Sequence, residues 1–200
     1  MKTKRILSVL IVSLFSLQTL QFTARADEGM WPFNNLPRAE IKKKYGFDIT
    51  DEWLKKVQLA SVRFNSGGSG SFVSSDGLVM TNHHIASDVL QKISTPQKDY
   101  IKEGFYAPTR DQEAKAPDLE LNQLVGIEDV TARVMSAVKP DMTTAQANAA
   151  RNAEINNISA EAGKKNGLRN DVIALFQGGQ YNLYSYKKYT DVRLVFAPEF

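Results

Sequence analysis

Cysteine is absent from all 200 residues. That excludes a small scaffold held by disulfides, thiol catalysis and Cys-ligated zinc. Stability must then come from a packed core, and 42% apolar residues suffice to build one. Histidine is scarce: there are two, His83 and His84, side by side. Adjacent histidines with no third His or Cys make a poor ligand set, so no metal and no cofactor are expected. Long hydrophobic runs are also lacking, apart from residues 6–20. That run follows Lys2, Lys4 and Arg5 and precedes Ala24-Arg25-Ala26. A basic start, a short apolar centre and a small-residue cleavage site describe a secretory signal peptide over 1–26, too short to be a spanning helix. No later stretch is long enough to span a bilayer, and the mature chain is expected to be secreted or periplasmic.

An excess of charge is missing too. The chain has 25 basic and 22 acidic side chains, but Lys2, Lys4, Arg5 and Arg25 leave with the leader and no acid does, so 21 remain against 22. The basic balance belongs to the leader, and nucleic-acid binding loses its compositional support.

What is present reads as one domain preceded by an arm. Residues 27–56 form the arm, with Trp31, Phe33 and Leu36 as its apolar pins. Pro37 suits the first turn of a short helix and Gly46 its end; Thr50 or Asp51 can cap a second helix carrying Trp53, Leu54 and Val57. Residues 57–200 read as mixed and mainly β, with helical segments. Ser61-Val62-Arg63-Phe64 alternates like a strand, 86–93 suits a short helix, 98–118 reads as loop or short helix, and 119–127 alternates again. Val130, Val134 and Val138 are spaced for a helix closed by Pro140. Thr143 and Gln146 make a capping box. Helical periodicity then runs, interrupted near Gly163 and Gly167, through Leu168, Val172, Leu175 and Phe176, giving a helical stretch over 143–177 ended by Gly178-Gly179. Residues 181–186 and 192–196 read as strands around a turn at Lys187-Lys188-Tyr189-Thr190.

The densest signal is Gly70-Ser71-Phe72-Val73-Ser74-Ser75-Asp76-Gly77-Leu78-Val79-Met80-Thr81-Asn82-His83-His84. Asp76-Gly77 between two apolar runs predicts a β-hairpin with a tight type I′ turn, whose second strand delivers a histidine to a loop. An imidazole so placed can take a proton from a serine hydroxyl and return it to a leaving amine. Successive residues of an extended segment face opposite ways, so one histidine alone can face a site. The block Thr81-Asn82-His83-His84-Ile85 has the register of the Thr-Ala-Ala-His-Cys signature of chymotrypsin-fold peptidases, which selects His84 as the base and leaves His83 as structural support. Ser66, Ser69 and Ser71 read as a flexible connector, because a nucleophile in that order should follow the base. Asp191 reads as half of a strand-edge ion pair near Arg193, Asp88 as part of the following helix, and Tyr181, Tyr184, Tyr186 and Tyr189 as packing.

The chain resembles the N-terminal part of the bacterial dipeptidyl-peptidase 7/11 family, chymotrypsin-fold serine exopeptidases that release dipeptides from peptide N-termini. Besides the hairpin, the likeness is carried by Asp27-Glu28-Gly29-Met30-Trp31, by Asp99-Tyr100-Ile101-Lys102-Glu103-Gly104-Phe105 and by Ile127-Glu128-Asp129-Val130-Thr131. Tyr186-Lys187-Lys188-Tyr189-Thr190-Asp191-Val192-Arg193-Leu194-Val195-Phe196-Ala197-Pro198 completes the set, in family order. Where members often have Cys after the histidine pair, this chain has Ile85. The resemblance implies a chymotrypsin-like β-barrel fold, with 57–200 as its first, incomplete barrel half interrupted by a helical excursion. It implies that His84 is the one catalytic residue here, the triad Asp and Ser lying beyond Phe200. It further implies peptide substrates with a free N-terminus, and it leaves open a homodimer of the full-length protein. Two other readings stay open: a chymotrypsin-fold periplasmic endopeptidase, whose Asp-Leu/Ile-Ala motif is not found, and a catalytically incomplete peptide-binding module.

Overall fold

The structure, a computed structural model, describes residues 29–199. The expected leader therefore lies outside the described residues. The chain divides into two compact units, Met1–Leu36 and Pro37–Phe200. In the described part of the first, the Asn35 N–H donates to the Pro32 carbonyl at 2.9 Å. Of the three expected pins, Phe33 and Leu36 are half-buried and Trp31 is exposed.

The second unit opens with two helices whose ends follow local chemistry. Helix α1 (Arg38–Tyr45) stops at Gly46, which takes the left-handed conformation at φ 67° and donates its N–H to the Lys42 carbonyl. Pro37 stands just before the helix, at the cap position, rather than within its first turn. Helix α2 (Asp51–Ala60) is capped by Thr50, whose hydroxyl accepts from the Trp53 N–H at 3.1 Å, and Asp51 and Glu52 complement the positive end of its dipole.

Strands β1 (Ser61–Phe64), β2 (Ser69–Phe72), β3 (Val79–Thr81), β6 (Leu121–Asp129), β7 (Arg169–Leu175) and β8 (Gln180–Tyr189) form one antiparallel sheet in the order β3-β2-β1-β6-β8-β7. β1 shows the expected alternation: Val62 and Phe64 are buried and Arg63 points out. Helix α3 (His83–Ile93) and the single turn α4 (Tyr100–Glu103), capped by the Asp99 carboxylate, follow β3. The helices α5 (Thr131–Ser136) and α6 (Thr144–Asn166) are inserted between β6 and β7. Two short pairs, β4 (Phe105–Tyr106) with β10 (Phe196–Ala197) and β5 (Ala114–Lys115) with β9 (Arg193–Leu194), organise the 98–118 region, read from sequence as loop or short helix. No helix among the described residues is long and apolar enough to cross a membrane.

Three expectations are corrected. First, the helical stretch over 143–177 ends at Asn166; residues 169–175 are strand β7. Gly167 closes α6 in the left-handed conformation, and the Asn166 side chain accepts from the Leu168 N–H, turning the chain at once. Val172 and Leu175 fit the helical spacing read from the sequence, but both are paired in the ladder with β8, which places them in a strand. Gly178-Gly179 therefore belongs to the β7–β8 connection, where Phe176, Gln177 and Gly178 all have positive φ. Second, the β2–β3 connection is not a tight type I′ turn. Of Asp76 and Gly77 only Gly77 has positive φ, and the Ser74 hydroxyl accepts from the Asp76 and Leu78 N–H groups, making a wider loop. Third, Lys187-Lys188-Tyr189 continues β8 rather than turning.

Two apolar clusters hold the unit together. Val130, Val134, Ile158, Tyr181 and Leu183 join α5 and α6 to the sheet. Val62, Phe64, Ile85 and Leu121, with Phe72 and Tyr189 packed against them, form the second, beneath the histidine segment. Glu120, just before β6, anchors an ion network: Lys188 lies 3.2 Å and Arg169 3.4 Å from its carboxylate, and the Asn122 side chain donates to it. Burial opposes its ionisation; the bonds from Asn122 and Lys188 and the two cations outweigh that and hold the carboxyl below its ordinary value.

Two outcomes follow. A carboxyl depressed in the folded state contributes stability above its unfolded value, near 4.3 for Glu, and loses it as pH falls towards the folded value. Glu120→Gln should therefore lower stability at pH 7 and flatten the loss below about pH 4.3, read from denaturant midpoints between pH 3 and 7. The capping box of α6 is present in full, Thr143 with the Gln146 backbone and Gln146 with the Thr143 backbone. Thr143→Ala should cost about 1 kcal/mol and Thr143→Ser much less, by the same measurement.

Candidate active site

β3 ends at Thr81, whose hydroxyl donates to the Ser69 carbonyl at 2.8 Å and fixes the strand's end against β2. Asn82 is extended, and helix α3 begins directly after it. The sequence places this helix at 86–93, with the histidines in a preceding loop; the structure starts it three residues sooner. The cause is Ile85, which is 6% exposed and belongs to the second core cluster, followed by Val89 and Leu90 on the same buried side. Burying Ile85 draws the histidine pair into the first helical turn.

Within that turn the two rings separate by about 100° about the helix axis instead of alternating as in a strand. His83 is half-buried, and its Nε2 has no access to solvent. His84 is exposed and lines a groove of about 440 Å³. The groove runs between α3 and two facing segments, the β1–β2 turn (Ser66, Gly67, Gly68) and Pro117-Asp118-Leu119.

Both facing segments have specific means of approach. Gly68 sits at φ +87°, and a side chain there would overlap Ile85 and bring its Cβ 3.8 Å from His84 Nε2. The second wall is clamped by Asn65, whose amide donates to the Asp118 carbonyl at 2.9 Å and accepts from the Glu120 N–H at 2.8 Å. Asp118 itself is at φ 61°. Lys92 bridges the walls, 3.3 Å from Asp88 on its own helix and 3.5 Å from Asp118 opposite. Its hydrogen bond and charge contact with Asp88, reinforced by Asp118, hold its ammonium above the usual lysine value.

Of the residues the sequence singles out, His84 and Asp88 share this groove, as does Ser66 of the connector. No hydrogen bond joins His84 to Ser66 or to any carboxylate among the described residues. Asp191 is in an ion pair with Arg193 at 3.0 Å, and that hydrogen bond holds its carboxyl below the ordinary value. Tyr181 and Tyr186 are buried, and Tyr184 stacks on Tyr186. Lys92, Asp118, Asn65 and Gly68 escape sequence reasoning. Lys92 had a local signal, standing eight residues after His84 on one helical face. The Asn65 clamp had none, since it joins residues 53 and 55 positions apart.

The chain is similar to known proteins along almost its whole length. It is 33% identical to dipeptidyl-peptidase 7 of Capnocytophaga gingivalis, covering 98% of this chain and 28% of that protein. It is 35% identical to dipeptidyl-peptidase 7 of Porphyromonas endodontalis, covering 99% and 25%. It is 32% identical to the Asp/Glu-specific dipeptidyl-peptidase of Porphyromonas gingivalis, covering 94% and 28%. The chain thus spans about a quarter of the length of these relatives. The crystal structure of Porphyromonas endodontalis DPP11 in complex with the dipeptide Arg-Asp superposes with a TM-score of 0.71 at 28% identity, over 87% of this chain and 27% of that one. The mixed architecture with a mainly antiparallel sheet is thus shared with DPP11. The family model described as Peptidase S46 matches residues 26–200. By that match and these relatives, this chain belongs to the peptidase S46 family.

Proposed function

We infer that this chain is the N-terminal part of a secreted serine-type dipeptidyl-peptidase and that His84 is its general base. The observation that carries the reading is the position of His84. Its ring is exposed at a groove, on a helix turn pinned by the burial of Ile85, so a substrate can reach it and its aim does not drift. The family membership and the names of the relatives support the same chemistry.

The mechanism follows from what an imidazole can do. Nε2 of His84 takes the proton of a serine hydroxyl as that oxygen bonds to the scissile carbonyl carbon. The proton then passes to the amine nitrogen as the C–N bond breaks, and water repeats the sequence on the acyl-enzyme. The groove's own carboxylates, Asp88 and Asp118, are held by Lys92, so neither orients the imidazole. On this reading the orienting carboxylate and the nucleophile come from the remaining three-quarters that the longer relatives possess. A chymotrypsin-like barrel completed by that remainder would bring them to His84. The substrate's free N-terminus would be held there as well, limiting release to dipeptides.

The test uses the full-length product and unblocked peptides. Dipeptides should be released, and acetylating the peptide N-terminus should abolish release. His84→Ala should reduce kcat by about 10⁴-fold or more, while His83→Ala keeps most of it. Turnover retained in His84→Ala and lost in His83→Ala would overturn the assignment. The approach of Gly68 gives an independent check. Gly68→Ala should lower kcat more than it raises KM, because the added methyl displaces Ile85 and with it the imidazole. Ile85→Val in that background removes the Ile85 methyl that the added side chain would strike, and should restore part of the loss.

A further inference from the structure

The groove extends well past His84. His84, Asp88 and Lys92 stand at i, i+4 and i+8 along one face of α3, and all three line it. Eight residues of helix rise by about 12 Å, the length of three to four extended residues. Ile85, Val89 and Leu119 contribute apolar lining, and Ile85 and Val89 are almost fully buried. Asp88, midway along the groove, is 74% exposed, and Asp118, beside Lys92 at the far end, is 87% exposed, so the channel is open to solvent from its middle to that end.

Resting on the peptidase reading of His84, the chemistry assigns a direction to this channel. The imidazole that accepts the hydroxyl proton must deliver it to the departing nitrogen, so that nitrogen comes within hydrogen-bond reach of His84. The dipeptide to be released needs a closed end that measures two residues. The remainder of the substrate, of any length, needs an open one. The open channel beginning at His84 fits the second requirement and not the first.

We propose that this groove binds the leaving portion of the substrate, the residues immediately after the cleaved bond, and that Asp88 and Asp118 make it prefer a basic side chain there. The two carboxylates against the single Lys92 ammonium leave one net negative charge along the channel. Lys92 joins the walls and also tempers that charge. The peptide backbone lies over the apolar lining while its side chains meet the charged rim.

The test uses the full-length enzyme and unblocked peptides that share their first two residues and differ only in the next three, carrying Lys, Gln or Glu. A p-nitroanilide of the same dipeptide, which has no leaving peptide, reports on the active site itself. The Lys series should exceed the Glu series in kcat/KM by about fivefold at low salt, and the ratio should fall as salt rises. The Asp88→Asn, Asp118→Asn double variant should bring the ratio close to one; asparagine tolerates the positive φ at position 118. Lys92→Gln should push the ratio the other way, above that of the parent. Because each ratio is taken within one enzyme, a change in overall activity cancels. Equal rates for the Lys and Glu series in the parent, or a ratio that neither variant moves, with anilide turnover intact, overturns the subsite alone. Failure of the parent to cleave both anilide and peptides overturns the peptidase reading and the subsite with it.

Discussion

The burial of Ile85 is the contact on which the candidate site depends. Ile85 packs with Val62, Phe64 and Leu121 from β1 and β6 and leaves only 6% of its surface exposed. Full burial of such a side chain is worth about 1.5–3 kcal/mol, enough to determine where α3 begins and how it is rotated. Once Ile85 faces inward, helical geometry turns the residue before it by about 100°, and that residue is His84. The glycine at 68 completes the arrangement. Its missing side chain lets the β1–β2 turn close over Ile85 and form one wall of the groove. Aim and access of the imidazole therefore share a cause, which is the packing of one isoleucine under one glycine.

Much of this fold was legible because its signals are local. Gly46 ending α1, Thr50 capping α2, the Thr143 and Gln146 box and the alternation of Ser61–Phe64 each act within four residues, and each is present. What failed was periodicity without a local arbiter. Leu168, Val172 and Leu175 satisfy helical spacing, yet Arg169–Leu175 is paired residue by residue with β8. The short strands Phe105–Tyr106 and Ala114–Lys115 were likewise illegible. Their partners, Phe196–Ala197 and Arg193–Leu194, lie far along the chain, and two residues carry no period. The hairpin around Asp76-Gly77 was foreseen in place but not in type, because the Ser74 hydroxyl offered the backbone an easier turn than two positive φ values.

The candidate site divides the same way. The histidine pair and its register stand in one short run of sequence, so both rings could be named and ranked from residues alone. The groove could not, because it is assembled from three segments brought together by tertiary contacts. The Asn65 amide is the clearest case. It uses both ends of its side chain to hold the chain at Asp118 and Glu120. Replacing it would release two backbone groups at once, a larger disturbance than one lost hydrogen bond. Glu120 is in turn tied to Lys188 and Arg169 on β8 and β7, so the groove wall and the far side of the sheet answer to a common electrostatic anchor.

On the proposed reading of His84 as a general base, that linkage bears on how such a base can act with partners supplied from elsewhere in a longer chain. A triad assembled from separate segments works only if each segment holds its group within a fraction of an ångström of its place. Here the constraint on His84 is supplied within Pro37–Phe200: apolar burial sets the helix, a glycine sets the wall, and an asparagine and an ion bridge set the wall opposite. None of these contacts requires a hydroxyl or carboxylate to be bonded to the imidazole. The ring is thus positioned by packing beneath it rather than by the groups it would react with. On the proposed reading, the ring is thereby left to take up those groups from the remainder of the enzyme.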